Sequence, residues 1–259
     1  MKSKTTIINL IFLVLCLPSS IKAHPGIGIV KDSKDNIYYT DLLQVWKITN
    51  GTKSVIVPNV HTHELYVDKD DNLFGEGLYY EARANKFYHY LWVYHPNGTI
   101  DTVVGIKQAY VDQDFSLTRD NNGNEYYVKK YGISIDTTHL YRRSVAGKET
   151  IVGTGNFAQV KWFHVLNNRD ILYVQDNSIL RIDSTGKTSL IKAGIGNKKL
   201  SFGFPGIITT WGLWTDNEQN IYAAVFSDQA VKKIDPNGSM TIVYESTGNW
   251  TPIHGIFDN

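Results

Sequence analysis

Short runs of apolar, aromatic and β-branched residues recur along the chain, and groups of Asn, Asp and Gly separate them. Runs such as 37–39, 125–128 and 221–224 follow polar turns and are only three or four residues long. Runs of this length, bounded by turn-forming residues and rich in Tyr, Val and Ile, are typical of β-strands. The pattern therefore predicts an all-β protein built from hairpins.

Five predicted hairpins share a turn that ends on a glycine, and an apolar or β-branched strand follows each turn. The glycines are Gly51, Gly98, Gly147, Gly186 and Gly238. Successive glycines stand 47, 49, 39 and 52 residues apart. The spacing indicates five copies of one structural unit.

Each unit carries a second hairpin upstream, and its turn is rich in Asp and Asn. These turns cover 32–36, 68–72, 120–124, 166–170 and 216–220, and the fourth begins with Leu166 instead of Asp. Asp and Asn suit such turns because their side chains bond nearby backbone N–H groups and tolerate positive φ. Two hairpins per unit of about 40 to 50 residues make the four-stranded blade of a β-propeller.

The fold expected is a β-propeller with five complete blades and the first strand of a sixth. The last segment, 251–259, matches the beginning of the fifth unit at 210–216 and of the first unit at 27–32. Two arrangements fit this pattern: a truncated six-bladed ring, or a five-bladed ring that the last strand closes. We favour truncation, because an incomplete blade leaves open sheet edges that a closed ring would pair.

The first 23 residues have the features of a secretory signal peptide. Lys2 and Lys4 precede an apolar run at 7–17, and small residues lead to a cleavage position after Ala23. The propeller domain then covers 24–259. Leu13-Val-Leu-Cys16 offers lipid anchoring as an alternative, although Leu15 stands where a lipoprotein signal needs a small residue.

Composition limits the cellular locations and the classes of partner that are expected for this protein. The 259 residues contain one Cys, 26 basic and 25 acidic residues, and removal of the signal leaves 23 basic and 25 acidic residues without a Cys. A weakly acidic chain without a basic run argues against nucleic acid as a partner. We expect a secreted or periplasmic monomer with no membrane span after signal removal and no disulfide.

The repeated pattern resembles a known group of propellers. Gly212-Leu-Trp-Thr-Asp216 with the turn at Gly238, and Gly28-Ile-Val-Lys-Asp32 with the turn at Gly51, are similar to NHL-repeat propellers. More loosely they resemble the senescence-marker-protein and gluconolactonase propellers, which have six blades. Such propellers include both binding modules and enzymes, so function has to be argued from individual positions.

The repeat register identifies the residues at the start of each inner strand, around the channel mouth. His63 and His254 occupy equivalent positions, and His61 and Glu64 flank His63 in the second unit. Neutral imidazole suits zinc, copper or iron, and His-x-His on a strand puts both rings on one face. The alternative is that these histidines are ordinary turn or core residues.

Two resemblances bear on a metal in the central channel. The peptidylglycine amidating lyases are similar propellers that hold zinc with inner-strand histidines, which implies His61, His63 and His254 as ligands and Glu64 as general base. The gluconolactonase-like enzymes hold a divalent ion, such as calcium, with acidic and amide groups, which implies Glu64 and Glu76. A divalent metal is thus expected for an enzyme, but its identity is open.

Two aromatic segments are candidate ligand-binding surfaces. The second unit is lengthened at 75–90 and contributes Tyr79, Tyr80 and Tyr88, while the fifth contributes Trp211. Flat rings with polar tips suit stacking on a sugar or a peptide. The function expected is binding of a small molecule, glycan or protein at the channel mouth and this lengthened loop, and the alternative is a metal-dependent hydrolase or lyase.

Overall fold

The computed structural model describes residues 28–109, 115–130, 138–155, 157, 160, 163–196, 210–247 and 255. Within these ranges the chain forms five antiparallel sheets, and in each sheet the strands follow one another in sequence order. Each sheet is one blade, and the structure confirms the predicted all-β propeller of four-stranded blades. In the described ranges no helix is long and apolar enough to cross a membrane.

The strands of each blade run from the innermost to the outermost position. Blade 1 contains β1 (Ile29–Lys31), β2 (Ile37–Thr40), β3 (Val45–Thr49) and β4 (Thr52–Val57). Blade 2 contains β5 (Leu65–Val67), β6 (Leu73–Glu81), β7 (Lys86–Tyr94) and β8 (Ile100–Gln108). Blade 3 contains β9 (Glu125–Lys130), β10 (Thr138–Arg143) and β11 (Glu149–Gly155).

The last two blades are complete. Blade 4 contains β12 (Phe163–Val165), β13 (Ile171–Gln175), β14 (Ser178–Ile182) and β15 (Thr188–Ala193). Blade 5 contains β16 (Thr210–Thr215), β17 (Ile221–Val225), β18 (Ala230–Ile234) and β19 (Met240–Glu245). A single 3-10 turn, Phe226–Asp228, joins β17 to β18.

Blade 3 differs from the predicted four-stranded blade. Its described residues form three strands, and its innermost segment makes a single β-bridge in place of a fourth strand. That bridge joins Arg119 to Glu125. The Tyr126 N–H donates to the Thr118 carbonyl at 2.9 Å, and the Ser116 hydroxyl donates to the Tyr126 carbonyl at 2.6 Å. The inner segment is therefore held partly by a side chain, which takes the place of regular ladder bonds.

The sixth blade is not confirmed, because five blades are present and the predicted strand at 251–259 lies outside the described residues except for Gly255. A Cβ at Gly255 would come within 2.7 Å of Cζ2 of Trp214 on β16. Gly255 thus lies against the indole ring of Trp214 in the fifth blade. Truncation and closure of a five-bladed ring both stay open.

Blade-to-blade packing makes the core. Apolar side chains from each pair of consecutive blades form one cluster, as in Tyr38 and Val45 of blade 1 with Leu73 and Trp92 of blade 2. Similar clusters join blades 2 and 3, 3 and 4, and 4 and 5. Gly75 is required here, since its Cβ would lie 2.0 Å from the Trp92 ring. Burial of apolar surface between neighbouring sheets therefore holds consecutive blades together.

The predicted Asp and Asn turns are closed by a buried carboxylate. In blade 1, Oδ1 of Asp32 accepts hydrogen bonds from the backbone N–H groups of Lys34 and Asn36, both at 2.9 Å. Oδ2 accepts from the Asn36 amide at 2.7 Å and from the Tyr38 hydroxyl at 2.8 Å. Burial by itself would raise the pKa of Asp32, but the hydrogen bonds from Asn36, Tyr38 and Lys34 outweigh it and lower the pKa.

We expect Asp32→Ala to lower the free energy of unfolding by about 3 kcal/mol, because four donors lose their charged acceptor in a buried turn. Urea unfolding at pH 7 measures the change. Asp70→Ala is the matched control, since Asp70 belongs to the same turn of blade 2 but is exposed. Equal effects of the two substitutions would contradict a structural role for the turn carboxylate.

Candidate functional site

The predicted site residues of blade 2 belong to one end of that blade. In a meander, the start of the first strand and the turn between the second and third strands lie at the same end, which we call the upper face. Glu64 directly precedes β5, and the β6–β7 turn covers 82–85. The candidate channel-mouth residues and the lengthened loop of blade 2 therefore share the upper face.

Glu64 and Glu76 form a carboxyl pair across two strands. Leu65 is the register partner of Gly75, so the next position of each strand sets Glu64 opposite Glu76. Glu64 is half-buried. Burial raises the pKa of Glu64 to about 7, and the negative charge of Glu76 adds to the effect. No hydrogen bond to the Glu64 carboxyl is found among the described residues, so it is able to exchange a proton near neutral pH.

His89 holds the second carboxyl, and the sequence analysis missed it. Its Nδ1 lies 2.8 Å from Oε1 of Glu76, and its side chain is 10% exposed. The ring of Phe115 from blade 3 packs against the imidazole at a centroid distance of 4.9 Å. His89 lies on β7, two residues from the partner of Glu76, so the register of β6 and β7 is the signal that could have found it.

His61 and His63 lie on the loop that enters blade 2. Their ring centroids are 4.7 Å apart in an edge-to-face arrangement. Nδ1 of His61 is 2.8 Å from the Leu42 carbonyl, which can only accept, so Nδ1 carries the proton and a neutral ring would offer Nε2 as a ligand. The His61 carbonyl accepts from the Leu78 N–H at 2.9 Å, which ties this loop to β6.

The three-histidine metal site stays a prediction. His254 lies outside the described residues, and within the described ranges no three His, Cys, Asp or Glu side chains come together to hold a metal ion. His61 and His63 are close to each other but do not complete a site. The described residues thus supply part of a ligand set, and they do not by themselves fit a bound metal.

The lengthened hairpin of blade 2 carries an aromatic pair on each of its two faces. Tyr79 and Tyr88 are cross-strand partners with centroids 5.7 Å apart and planes at 20°. Tyr80 and Phe87 pair on the opposite face at 5.1 Å. Tyr79 is 40% and Tyr80 50% exposed, so much of this aromatic surface faces solvent. The side chain of Trp211, the remaining predicted platform residue, lies outside the described part.

A second histidine that sequence reasoning missed lies on the inner strand of blade 4. Nε2 of His164 is 3.2 Å from the Thr215 hydroxyl of β16. Burial lowers the pKa of His164 to about 4, so the ring is neutral at physiological pH. The repeat register assigns His164 to the innermost strand of the fourth unit, and this position is the signal that could have identified it.

Comparison with known proteins identifies the fold. No protein-family model matches the chain, and no curated protein sequence matches it. Many solved structures do match it. A gluconolactonase of Xanthomonas campestris is 12% identical, with 89% of this chain and 78% of that chain covered and a TM-score of 0.60.

Two further solved structures are lyases. A streptogramin B lyase is 12% identical, with 88% of this chain and 85% of that chain covered and a TM-score of 0.56. A catalytically inactive histidine-to-alanine variant of virginiamycin B lyase from Staphylococcus aureus, solved with quinupristin, is 16% identical, covers 88% of this chain and 72% of that chain, and has a TM-score of 0.51. At these identities the likeness shows a gluconolactonase-like propeller fold and nothing finer.

We expect the contribution of Glu64 to the stability of the protein to fall as pH rises from about 4.5 to about 7, while His164, whose native pKa is lowered to about 4, contributes in the opposite direction over nearly the same interval. The native pKa of Glu64 is raised, so in this interval the native state binds more protons at this residue than the unfolded state, and the gap from 4.5 to about 7 corresponds to about 3 kcal/mol. Glu64→Gln removes this titrating group and leaves that of His164, so the free energy of unfolding of the variant relative to wild type should increase over this interval. Urea unfolding at pH 4.5 and 8 measures the difference.

Glu81→Gln, on the exposed hairpin tip, is the control for this experiment and should follow the wild-type profile. If wild type and Glu64→Gln lose the same stability over this interval, Glu64 does not have the raised pKa.

Proposed function

We propose that the protein is an extracytoplasmic propeller enzyme, a hydrolase or lyase that acts on a small polar molecule at the upper face. The observation that carries the proposal is the carboxyl pair of Glu64 and Glu76, with the imidazoles of His61, His63 and His89 on the same end of blade 2. Paired acids with neighbouring imidazoles are the groups that general acid and base catalysis requires.

The two carboxyls have different environments, which divides their roles. Glu76 is held by His89 at 2.8 Å and is positioned as a fixed negative charge. Glu64 is half-buried and keeps its oxygens available to a substrate. An acid whose pKa burial raises to about 7 is suited to proton transfer at neutral pH, which is the task that Glu64 would have.

Glu64 is the proposed proton-transfer group. In hydrolysis its carboxylate would take a proton from the attacking water and return it to the leaving oxygen. In elimination it would take the proton from carbon while the bond to the leaving group breaks. The described residues do not assemble a metal site, so no step is assigned to a metal.

The comparisons support this class of activity without specifying a substrate. The similar solved structures include a gluconolactonase, which opens a cyclic ester, and lyases of the streptogramin B type. One of those lyases is described as inactive when a histidine is replaced by alanine. Lactones and cyclic depsipeptides such as quinupristin are therefore the first compounds to assay.

We expect Glu64→Gln to lower kcat about 100-fold or more on any lactone or depsipeptide that the wild type cleaves, because the amide cannot accept the proton. Steady-state assays with gluconolactone and quinupristin measure this. Glu81→Gln makes the same change on the exposed tip and should retain full activity. Unchanged kcat in Glu64→Gln would overturn the role of this residue.

His61, His63 and His254 remain proposed ligands of a divalent transition-metal ion such as zinc, whereas calcium would need the oxygen atoms of Glu64 and Glu76. Elemental analysis of the purified secreted protein and of His63→Ala tests this part independently. Metal content that is equal in the two proteins would remove these histidines as ligands.

A second candidate function is ligand binding on the lengthened hairpin, because the exposed Tyr79 stacks on the half-buried Tyr88. Two other cross-strand aromatic pairs are covered by cations from their own blade: Lys53 lies 3.8 Å from the Trp46 ring centroid, and Arg143 lies 4.9 Å from that of Tyr127. No cation lies over Tyr79 or Tyr88 among the described residues. This face is therefore open to a sugar ring.

We expect Tyr79→Ala and Tyr88→Ala each to weaken glycan binding about tenfold, because each removes half of the stacking surface. A glycan array followed by titration of the best binder measures the change. Tyr39→Ala is the control, since Tyr39 belongs to the pair that Lys53 covers. A wild type that binds no glycan, or equal losses in all three variants, would exclude this function.

A further inference from the structure

A cleft of about 320 Å³ lies between blades 3 and 4, away from the candidate site. It is lined on one side by β10 and β11, including Arg142 and Thr150. The other side is formed by Arg169, from the turn before β13, and by Ser184 and Thr185, from the turn before β15. Both of these turns lie at the end of the blade opposite the upper face, which we call the lower face.

Arg142 occupies a register position that is basic in four of the five blades. The equivalent residues are Lys47, Arg181 and Lys233, paired across the strand with Tyr38, Leu172 and Tyr222 just as Arg142 is paired with Tyr126. Lys47 lies 5.4 Å from the Tyr38 ring centroid, and Arg181 forms an ion pair with Asp170. Each of these two basic groups thus has a partner within its own blade.

The guanidinium of Arg142 also has such a partner, because it forms a hydrogen bond with the Tyr126 side chain, but its Nε is buried without a hydrogen-bond acceptor in the described part of the chain. A guanidinium N–H that is removed from water without an acceptor is energetically unfavourable. An oxyanion in the cleft would supply that acceptor. Among the four equivalent basic residues of the described blades, Arg142 is the one with a buried nitrogen that lacks an acceptor.

Arg169 brings a second positive charge to the same cleft. Its backbone has a φ of 69°, which turns the chain within the hairpin, and its side chain is exposed. Its guanidinium makes no hydrogen bond or ion pair with any residue that the structure describes. Two arginines are therefore available on opposite walls of one cleft.

The one acidic side chain among the lining residues is already engaged. Oδ1 of Asp183 accepts from the Thr185 N–H at 2.9 Å, from the Thr185 hydroxyl at 2.6 Å and from the Lys187 N–H at 3.0 Å. The hydrogen bond from the Thr185 hydroxyl is the main cause that lowers the pKa of Asp183. Asp183 closes its own turn, so the cleft keeps a net positive charge.

We propose that this cleft binds a small molecule through a carboxylate or phosphate group held between Arg142 and Arg169. Guanidinium groups recognise both oxyanions with charge-assisted hydrogen bonds. The volume suits a ligand of a few heavy atoms, near the lower limit of small-molecule sites. The site is independent of the proposed catalytic site, because the two lie at opposite ends of the blades.

Calorimetric titration of the full chain at low ionic strength tests the proposal, with inorganic phosphate and succinate as the two probes. We expect at least one of them to bind with 1:1 stoichiometry. Arg169→Gln should weaken that binding about tenfold, because it removes a charge-assisted hydrogen bond. The probe that binds more tightly distinguishes a phosphate site from a carboxylate site.

Lys47→Gln is the matched control, since it removes one charge from the equivalent position of blade 1. It should bind the anion as the wild type does. Arg142→Gln should lose anion binding as well. If this variant fails to fold, Arg169→Gln still tests the site, because Arg169 is exposed and its substitution should leave the fold intact. No binding of either probe at about 10 mM, or equal weakening by Lys47→Gln and Arg169→Gln, would overturn the proposal.

Discussion

In each blade, one carboxylate holds the turn that joins the first strand to the second. The geometry of the blade follows from that contact. Asp32, Asp120 and Asp216 each accept hydrogen bonds from the turn backbone, from an Asn amide and from a Tyr hydroxyl of the next strand. Such a turn fixes where the second strand begins and which face its aromatic residue takes. In blade 4, which lacks the leading Asp, Arg181 and Asn168 bond Asp170. The same turn is thus closed from the opposite direction, by an acid at its end and a base on β14, the third strand of the blade.

This constraint also decides where chemistry can occur. Because the carboxylate turns occupy the lower face, the upper face is left for segments that differ between blades. Blade 2 uses this freedom most. Its β6 and β7 are nine residues each, compared with four to six in the equivalent strands of the other blades. The added length carries the tyrosine pairs, so the aromatic surface is a consequence of the extended hairpin, whereas Glu76 occupies the position that Thr40 has in blade 1.

The hairpins, the blades and part of the candidate site could be predicted from the sequence, and the reason is physical. Turn residues act locally, so the Asp turns and the glycines at positive φ could be recognised one at a time and then counted as repeats. Glu64, His61 and His63 followed from the same register. His89 could not be found in this way, because its contact with Glu76 depends on strand pairing across a turn. The reduced inner strand of blade 3 was also missed, since the substitution of a Ser116 side-chain bond for ladder bonds leaves no local signal.

The cleft between blades 3 and 4 illustrates what repeat reasoning omits. A repeat predicts equivalent positions, and Arg142 is equivalent to Lys47 and Arg181 in register. Its surroundings are not equivalent, because the neighbouring blade contributes Arg169, whereas the blades that follow Lys47 and Arg181 have Asp71 and Gln219 at the same turn position. Two cations then meet across a blade boundary that the sequence of either blade alone does not reveal. In a propeller, new sites can therefore arise between blades while the hydrogen bonds inside each blade stay the same.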